Sequence, residues 1–213
     1  MRHALIVGAC GATGEALLNE LLASDAYARV TALTRLPLPS TTRKLVGHLH
    51  AAPTPGMPAP LPAADDAFLV IGEHQGYFRR DEVFHALPFA GLVDAARSAR
   101  TAGVRRLAVI APVAIYSHSS VFRASLMNRV EYELFALDFD ALVLVRPAAP
   151  ERLSRPAHPG RRLAAFLLRQ VHGLMPAAYH PPPARHVAAV AARALTASGR
   201  GLTVVDADAV RTA

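Results

Sequence analysis

The sequence predicts a single α/β domain built on a doubly wound parallel sheet, and three observations predict it. Short apolar runs rich in Val, Leu and Ile alternate with longer helical stretches, the pattern of parallel strands joined by crossover helices. Three glycines at three-residue spacing, Gly8, Gly11 and Gly14, separate the first apolar run from the first helical one. The 213 residues are 52% hydrophobic with a mean hydropathy of +0.25, enough chain to bury one substantial core and too apolar for disorder to dominate.

In chain order, the first strand is Ala4–Val7, closed by Gly8. The helix that follows spans roughly Gly14–Ser24 and carries Ala16-Leu17-Leu18 and Leu21-Leu22 on an apolar face. Val30–Thr34 is the second strand. Seven prolines (37, 39, 53, 55, 58, 60 and 62) then make 36–62 mainly an extended surface connection, with room for one short strand around Lys44–His48. This connection is not a domain boundary, because the strands on both sides are needed for one sheet. Phe68–Ile71 is the next strand, followed by a helix over Asp81–Ala102 that Pro88 should kink or split. Leu107–Ala111, a helix over Phe122–Leu137 and the strand Ala141–Val145 continue the alternation, which stops after Arg146-Pro147. Pro147–Pro159 reads as a loop, followed by helices over Arg161–His172 and Arg185–Ala197 and a last strand at Leu202–Val205. Residues 1–213 thus form one domain, with about 147–200 expected to build a small C-terminal helical cap.

The segment Gly8-Ala9-Cys10-Gly11-Ala12-Thr13-Gly14, set between a strand and a helix, has the form of a dinucleotide-binding turn in a Rossmann fold. Gly8 allows the tight turn, Gly11 lets backbone approach a pyrophosphate, and Gly14 permits close packing of the helix, whose N-terminus favours phosphate. Cys10 is either a small residue facing the cofactor or a thiol made reactive by the helix terminus. The second strand ends on Arg35 where an NAD site normally carries Asp or Glu for the ribose hydroxyls. Arg35 offers a planar fork suited to a 2′-phosphate, with Arg43 or Lys44 as possible helpers, so NADP(H) is favoured over NAD(H). The alternative is an ordinary exposed arginine at a strand end.

The order of these motifs resembles the atypical short-chain dehydrogenase/reductase family, in the small NAD(P)H-binding group that includes the Tat-interacting oxidoreductase and bacterial proteins of similar size. The resemblance runs along nearly the whole chain. It takes in the glycine turn, Val30–Arg35, Ala102–Leu107, Ser119-Ser120-Val121-Phe122, Phe139-Asp140 through Arg146-Pro147, and Leu174-Met175-Pro176 with Tyr179-His180. It implies an NADPH-binding oxidoreductase in which Ile71-Gly72, the segment after Ile110 that begins at Ala111, and Pro147 border the nicotinamide side. Tyr179-His180 would border the substrate pocket or anchor the last helix.

Active relatives use Ser, Tyr and Lys, with Tyr-x-x-x-Lys on the helix after the fifth strand. This chain departs from that pattern. Counting back from Arg146-Pro147 puts Arg123 and Met127 at the tyrosine and lysine positions; shifted registers give Ala124 with Asn128, or Ser125 with Arg129. The serine position reads Ala111-Pro112-Val113. The chain holds 22 arginines and one lysine, Lys44, so no later lysine exists to serve. Tyr116 is the best substitute acid, although a tyrosine without a cationic neighbour keeps a pKa near 10 and donates poorly at neutral pH. Glu73, His74, Tyr77, His118, Ser119 and Ser120 lie in loops that face the same region. Two functions follow from different classes: an oxidoreductase acting on a small carbonyl or enone without the usual Ser/Tyr/Lys set, or a non-catalytic NADPH-sensing or regulatory protein. Epimerisation or dehydration of a nucleotide sugar is disfavoured, since it relies on the same Tyr and Lys.

Other classes fit poorly. The net charge of +7 would suit a polyanion, but the arginines are scattered, with no basic run, so no nucleic-acid partner is expected. The ten histidines, among them His48, His50, His172, His180 and His186, show no familiar ligand spacing, so no metal is expected. No apolar run reaches the length of a membrane span, no targeting signal is read, and the single Cys10 fits a reducing setting, so a cytoplasmic protein is expected, with a protein partner or homo-oligomer possible.

Overall fold

A computed structural model describes residues 1–38, 42–50, 61–72, 82–111, 113–114, 129–149, 182–206 and 209–210. Seven parallel strands form the sheet: β1 (Arg2–Val7), β2 (Tyr27–Thr34), β3 (Leu45–Leu49), β4 (Asp66–Val70), β5 (Arg106–Ile110), β7 (Ala141–Val145) and β9 (Gly201–Val205). Their spatial order is β3-β2-β1-β4-β5-β7-β9. The chain thus winds outward from β1 in one direction and returns through β4 in the other, the doubly wound arrangement expected. A short parallel ladder between β6 (Val113–Ala114) and β8 (Ala148–Ala149) lies just past the ends of β5 and β7.

Alternation along the central strands sends side chains into two cores. Ala4, Ile6, Val30, Ala32, Phe68, Val70, Ala108, Ile110, Val143 and Val145 face one side, where they meet Leu17, Leu18 and Leu21 of α1 (Gly11–Ala23) and Val187, Ala191 and Leu195 of α4 (Ala184–Ala197). Leu5, Val7, Leu33, Leu69, Leu107, Val109 and Leu144 face the other, under Leu92, Ala95, Ala96 and Ala99 of α2 (Leu92–Thr101) and Leu134 of α3 (Arg129–Phe135). Both faces of the central strands are covered, which is why they read as unbroken apolar runs. Helix α4 stands beside α1 in the helical layer, packed on β5 and β7; residues 150–181, the rest of the expected cap, lie outside the described residues.

The helix expected over Asp81–Ala102 is much shorter. It begins at Leu92, after a 3-10 turn at Phe89–Gly91; residues 82–83 form a turn and 84–88 are non-helical, with isolated bridges at Phe84 and Leu87. Phe84 bridges antiparallel to Thr34 and Leu87 bridges parallel to Ile71, so this segment crosses the carboxyl ends of β2 and β4. Pro88 explains the difference: it donates no N–H and pushes the residue before it out of helical backbone. The strand expected around Lys44–His48 forms as β3.

Candidate cofactor site

Gly8 ends β1 with φ +87°, and a Cβ there would sit 2.1 Å from the carbonyl oxygen of Val70 on the neighbouring β4. Gly14 has no room either: its Cβ would meet the carbonyl oxygen of Gly8 at 2.2 Å, so α1 packs directly on the turn that introduces it. Gly11 differs from both. Its φ is +67°, and among the described residues no atom lies within 4 Å of where its Cβ would be. Two glycines therefore close the turn onto the sheet and helix, while the middle one faces open space at the start of α1. No acidic residue occupies the first turn of α1, and Cys10 supplies no side-chain cap, so the helix presents its positive pole there. Ala9 and Cys10 are buried in the α1-side core, which leaves them only backbone to offer at this edge and favours the unreactive reading of the thiol. Ala12 is exposed and Thr13 half-buried beside them.

Because the strands are parallel, their carboxyl ends lie along one edge. That edge gathers Gly8 to Gly14 after β1, Arg35 after β2, Ile71 and Gly72 after β4, Ala111 after β5 and Pro147 after β7. Backbone bonds hold the row together: Ile71 N–H donates to Ile110 O at 3.0 Å, Ala111 N–H to Val145 O at 3.0 Å, and Arg146 N–H to Val205 O at 2.9 Å. Gly72 N–H donates to Leu87 O at 3.1 Å, and its Cα faces open space.

At the β2 end, Arg35 is exposed and its N–H donates to Val83 O at 2.7 Å. Neither β2 nor the residues that follow it up to Leu38 carry a carboxylate. Lys44, considered as a helper, is elsewhere. Its Nζ donates to the carbonyls of Leu22 (2.8 Å) and Ser24 (2.6 Å), capping the C-terminal end of α1. Val30 pairs with Leu45, so Lys44 and Arg43 stand near the amino end of the sheet, about 16 Å along the strand from Arg35.

Two groupings arise only from the fold. His50 N–H donates to Thr34 O at 2.9 Å, and His85 N–H to Leu33 O at 3.3 Å, so the two histidines flank the end of β2 from opposite sides. Their rings meet edge to face with centroids 5.8 Å apart, and His85 Nε2 lies 3.0 Å from the carbonyl oxygen of His50. Burial and the neighbouring His48 hold the His50 imidazole below its ordinary pKa. At the other end of the edge, Arg146 and Glu131 form a buried fork. Arg146 Nε donates to Glu131 Oε1 at 2.8 Å and Nη2 to Oε2 at 2.6 Å, with Asp206 a further 3.5 Å contact of Nη1. The pair ties α3 to the end of β7 and floors a cleft lined by Phe89, Ala111 and Val130. The signal in the sequence was Arg146 itself, a cation at the end of an otherwise apolar strand that needs a buried partner.

Arg129, a member of one shifted catalytic register, is exposed on α3 and bonds Glu133 at 3.1 Å, the surface pairing of an ordinary helix. Tyr116 lies outside the described residues, as do Glu73, His74, Tyr77, Pro112, His118, Ser119, Ser120, Arg123, Ala124, Ser125, Met127, Asn128, His172, Tyr179 and His180. Among the described residues no three His, Cys, Asp or Glu side chains are grouped as metal ligands, and no helix is long and apolar enough to cross a membrane.

No family model matches the chain. It is similar to the mitochondrial protein FMP52 of Eremothecium gossypii, 26% identical over 177 residues covering 80% of this chain and 77% of that one. It is also similar to the mitochondrial fmp52 proteins of Aspergillus niger, 25% identical over 186 residues (81% and 78%), and Aspergillus fumigatus, 27% identical over 192 residues (81% and 78%). These names overturn the expectation of a cytoplasmic protein. A lone cysteine excludes a disulfide framework but does not distinguish between compartments that keep thiols reduced. Among solved structures, a short chain dehydrogenase family protein from Francisella tularensis covers 99% of both chains at 11% identity with a TM-score of 0.49. The Bordetella bronchiseptica enzyme WbmG, solved in complex with NAD, covers 99% of this chain and 86% of its own at 14% identity with a TM-score of 0.41.

Proposed function

We propose that the chain is an NADP(H)-binding oxidoreductase of the short-chain dehydrogenase/reductase type, of the atypical group, acting on a small carbonyl or enone. The observation that carries this reading is the glycine turn. Gly8 and Gly14 are fixed by atoms 2.1 and 2.2 Å from any Cβ, whereas no described atom lies within 4 Å of a Cβ at Gly11, at an acid-free helix N-terminus where the strand order reverses between β1 and β4. That is the room and polarity a pyrophosphate needs. From there the edge leads to Arg35 on one side, suited to a 2′-phosphate, and on the other to Ile71, Gly72, Ala111 and Pro147, suited to the nicotinamide end.

When bound, the cofactor supplies a hydride. The chain's own part is to hold the cofactor along this edge and to orient its nicotinamide end beside Ala111 and Pro147. The proton for the carbonyl oxygen comes from Tyr116 or from water, since Lys44 is committed to the carbonyls of α1 and no other lysine exists. That same commitment favours a second reading, a protein that binds NADPH and senses or regulates without turnover.

Thermal melting with each cofactor tests the proposal. NADPH should raise the Tm more than NADH, and Arg35→Ala should abolish the difference; equal shifts in the wild type refute the NADP(H) reading. NADPH consumption across a panel of small carbonyls, lost in Tyr116→Phe, supports catalysis through that residue. An unchanged rate in that variant removes Tyr116, and binding without turnover favours the sensor.

A further inference from the structure

We propose that His50 and His85 complete, with Arg35, a seat for the adenosine 2′-phosphate, and that protonation of His50 makes the preference for NADPH over NADH depend on pH. The inference rests on the NADP(H) reading above and adds to it both the residues and the regulation.

The register carries it. Along β2, Leu33 points to the α2 side of the sheet, so alternation brings Arg35 to the same side one step past the strand. Thr34 pairs with Leu49 in the parallel ladder, which sets His50 opposite Arg35. Thr34 also bridges Phe84 in the antiparallel segment, which sets His85 opposite Leu33. The ends of β2 and β3 and the crossing segment thus deliver Arg35, His50 and His85 to one face at the carboxyl end of β2, where the ribose of a dinucleotide lies in this fold. The 5.8 Å ring contact confirms that the two imidazoles meet there.

His85 is anchored, with Nε2 on the His50 carbonyl at 3.0 Å. His50 holds the chemically open position: its Nε2 is buried and has no hydrogen-bond partner among the described residues. A buried imidazole nitrogen without a partner is costly unless something supplies one. Among the described residues, the charged and titratable groups nearest His50 are His48 on its own strand, Arg35 on β2, and His85 on the crossing segment, which also carries Glu82. In the free protein burial, and then the neighbouring His48, favour the neutral form of His50. A dianionic phosphate reverses the balance. His50 takes one proton from solvent, Nε2 becomes a donor to a phosphate oxygen, and no other bond changes. NADH, with a hydroxyl at that place, offers nothing to pay for the proton.

The test is calorimetric titration of the full chain with NADPH and with NADH at pH 6.5, 7.2 and 8.0, a range in which the phosphate is mainly dianionic. The ratio of the two Kd values cancels effects common to both cofactors. It is expected to shift toward NADPH by about tenfold on going from pH 8.0 to 6.5, the effect of taking up one proton. Near pH 7, buffers of different ionisation enthalpy should show close to one more proton taken up with NADPH than with NADH. In His50→Gln the ratio should become flat with pH while the NADH Kd is unchanged, and His85→Gln should weaken the pH dependence. A wild-type ratio that favours NADPH equally at all three pH values, with no extra proton, overturns the histidine seat while leaving the Arg35 reading standing. A ratio of one at every pH overturns both.

Discussion

Substituting Gly11 by alanine separates binding from folding more sharply than any other change in the turn. Gly11 has φ +67°, and an alanine held in left-handed backbone costs about 1–2 kcal/mol. Because no described atom lies within 4 Å of the new methyl group, no steric term adds to this, and the stiffer unfolded chain returns about 0.4–1 kcal/mol. The net loss is about 1 kcal/mol, a Tm lower by about 2–4 °C for a domain of this size. In the proposed site the methyl would nevertheless stand where the pyrophosphate approaches. At 100 times Kd, NADPH should stabilise the wild type by about 2.7 kcal/mol, a shift of about 5–11 °C; in Gly11→Ala that shift should vanish. Gly14→Ala provides the contrast, because its Cβ would lie 2.2 Å from the Gly8 carbonyl and the cost falls on the fold itself. Thermal melting with and without NADPH reads both quantities. A Gly11→Ala protein that melts a few degrees lower yet keeps the full NADPH shift would refute the placement of the pyrophosphate over Gly11.

Three further outcomes are expected. Glu131→Ala leaves Arg146 charged in a buried site and should cost about 3–5 kcal/mol in urea unfolding, whereas Glu131→Leu combined with Arg146→Met should cost less than either single change; additive losses would contradict a coupled pair. Lys44→Met removes two bonds to the α1 carbonyls and should lower stability by about 1–2 kcal/mol, with the Kd ratio of NADPH to NADH untouched; a changed ratio would return Lys44 to the cofactor site. His3 is held below its ordinary pKa by burial and then by Arg29, so the folded chain binds fewer protons than the unfolded one just below pH 6.5. Its contribution is present above that value and lost as pH falls through the folded pKa. His3→Gln, which cannot titrate, should therefore lose less stability than the wild type between pH 7.5 and 5.5; parallel losses would remove His3 as a source.

What could be read from the residues was whatever a local pattern dictates. Val30 to Thr34 and Ala141 to Val145 are buried at every position because elements cover both faces of the sheet, and that burial keeps both runs free of charged residues. The glycine turn was legible because φ > 0 and absent space each demand glycine at a fixed offset from a strand. Residues 82–88 carry an apolar spacing compatible with a helix, but Pro88 denies the helix its first turns and the segment crosses β2 and β4 instead. His50 and His85 are 35 positions apart and meet only because two separate pairings with β2 bring them there. Glu131 and Arg146 likewise meet only once α3 is docked on β7. Neither grouping leaves a periodic trace, since each is decided by register between distant elements.

The setting of Lys44 bears on how this chain can be chemically marked. Acetylation, ubiquitin attachment and amine-directed cross-linking all act on a side-chain amine, and here the only one is already engaged by two carbonyl oxygens at the end of a helix. An acyl group on Nζ would remove its charge and leave those carbonyls without their donor. A chain whose other permanently charged basic side chains are all guanidinium groups therefore offers such enzymes a single lysine address, and writing there would loosen the C-terminal end of α1, far from the edge where its N-terminus faces the glycine turn.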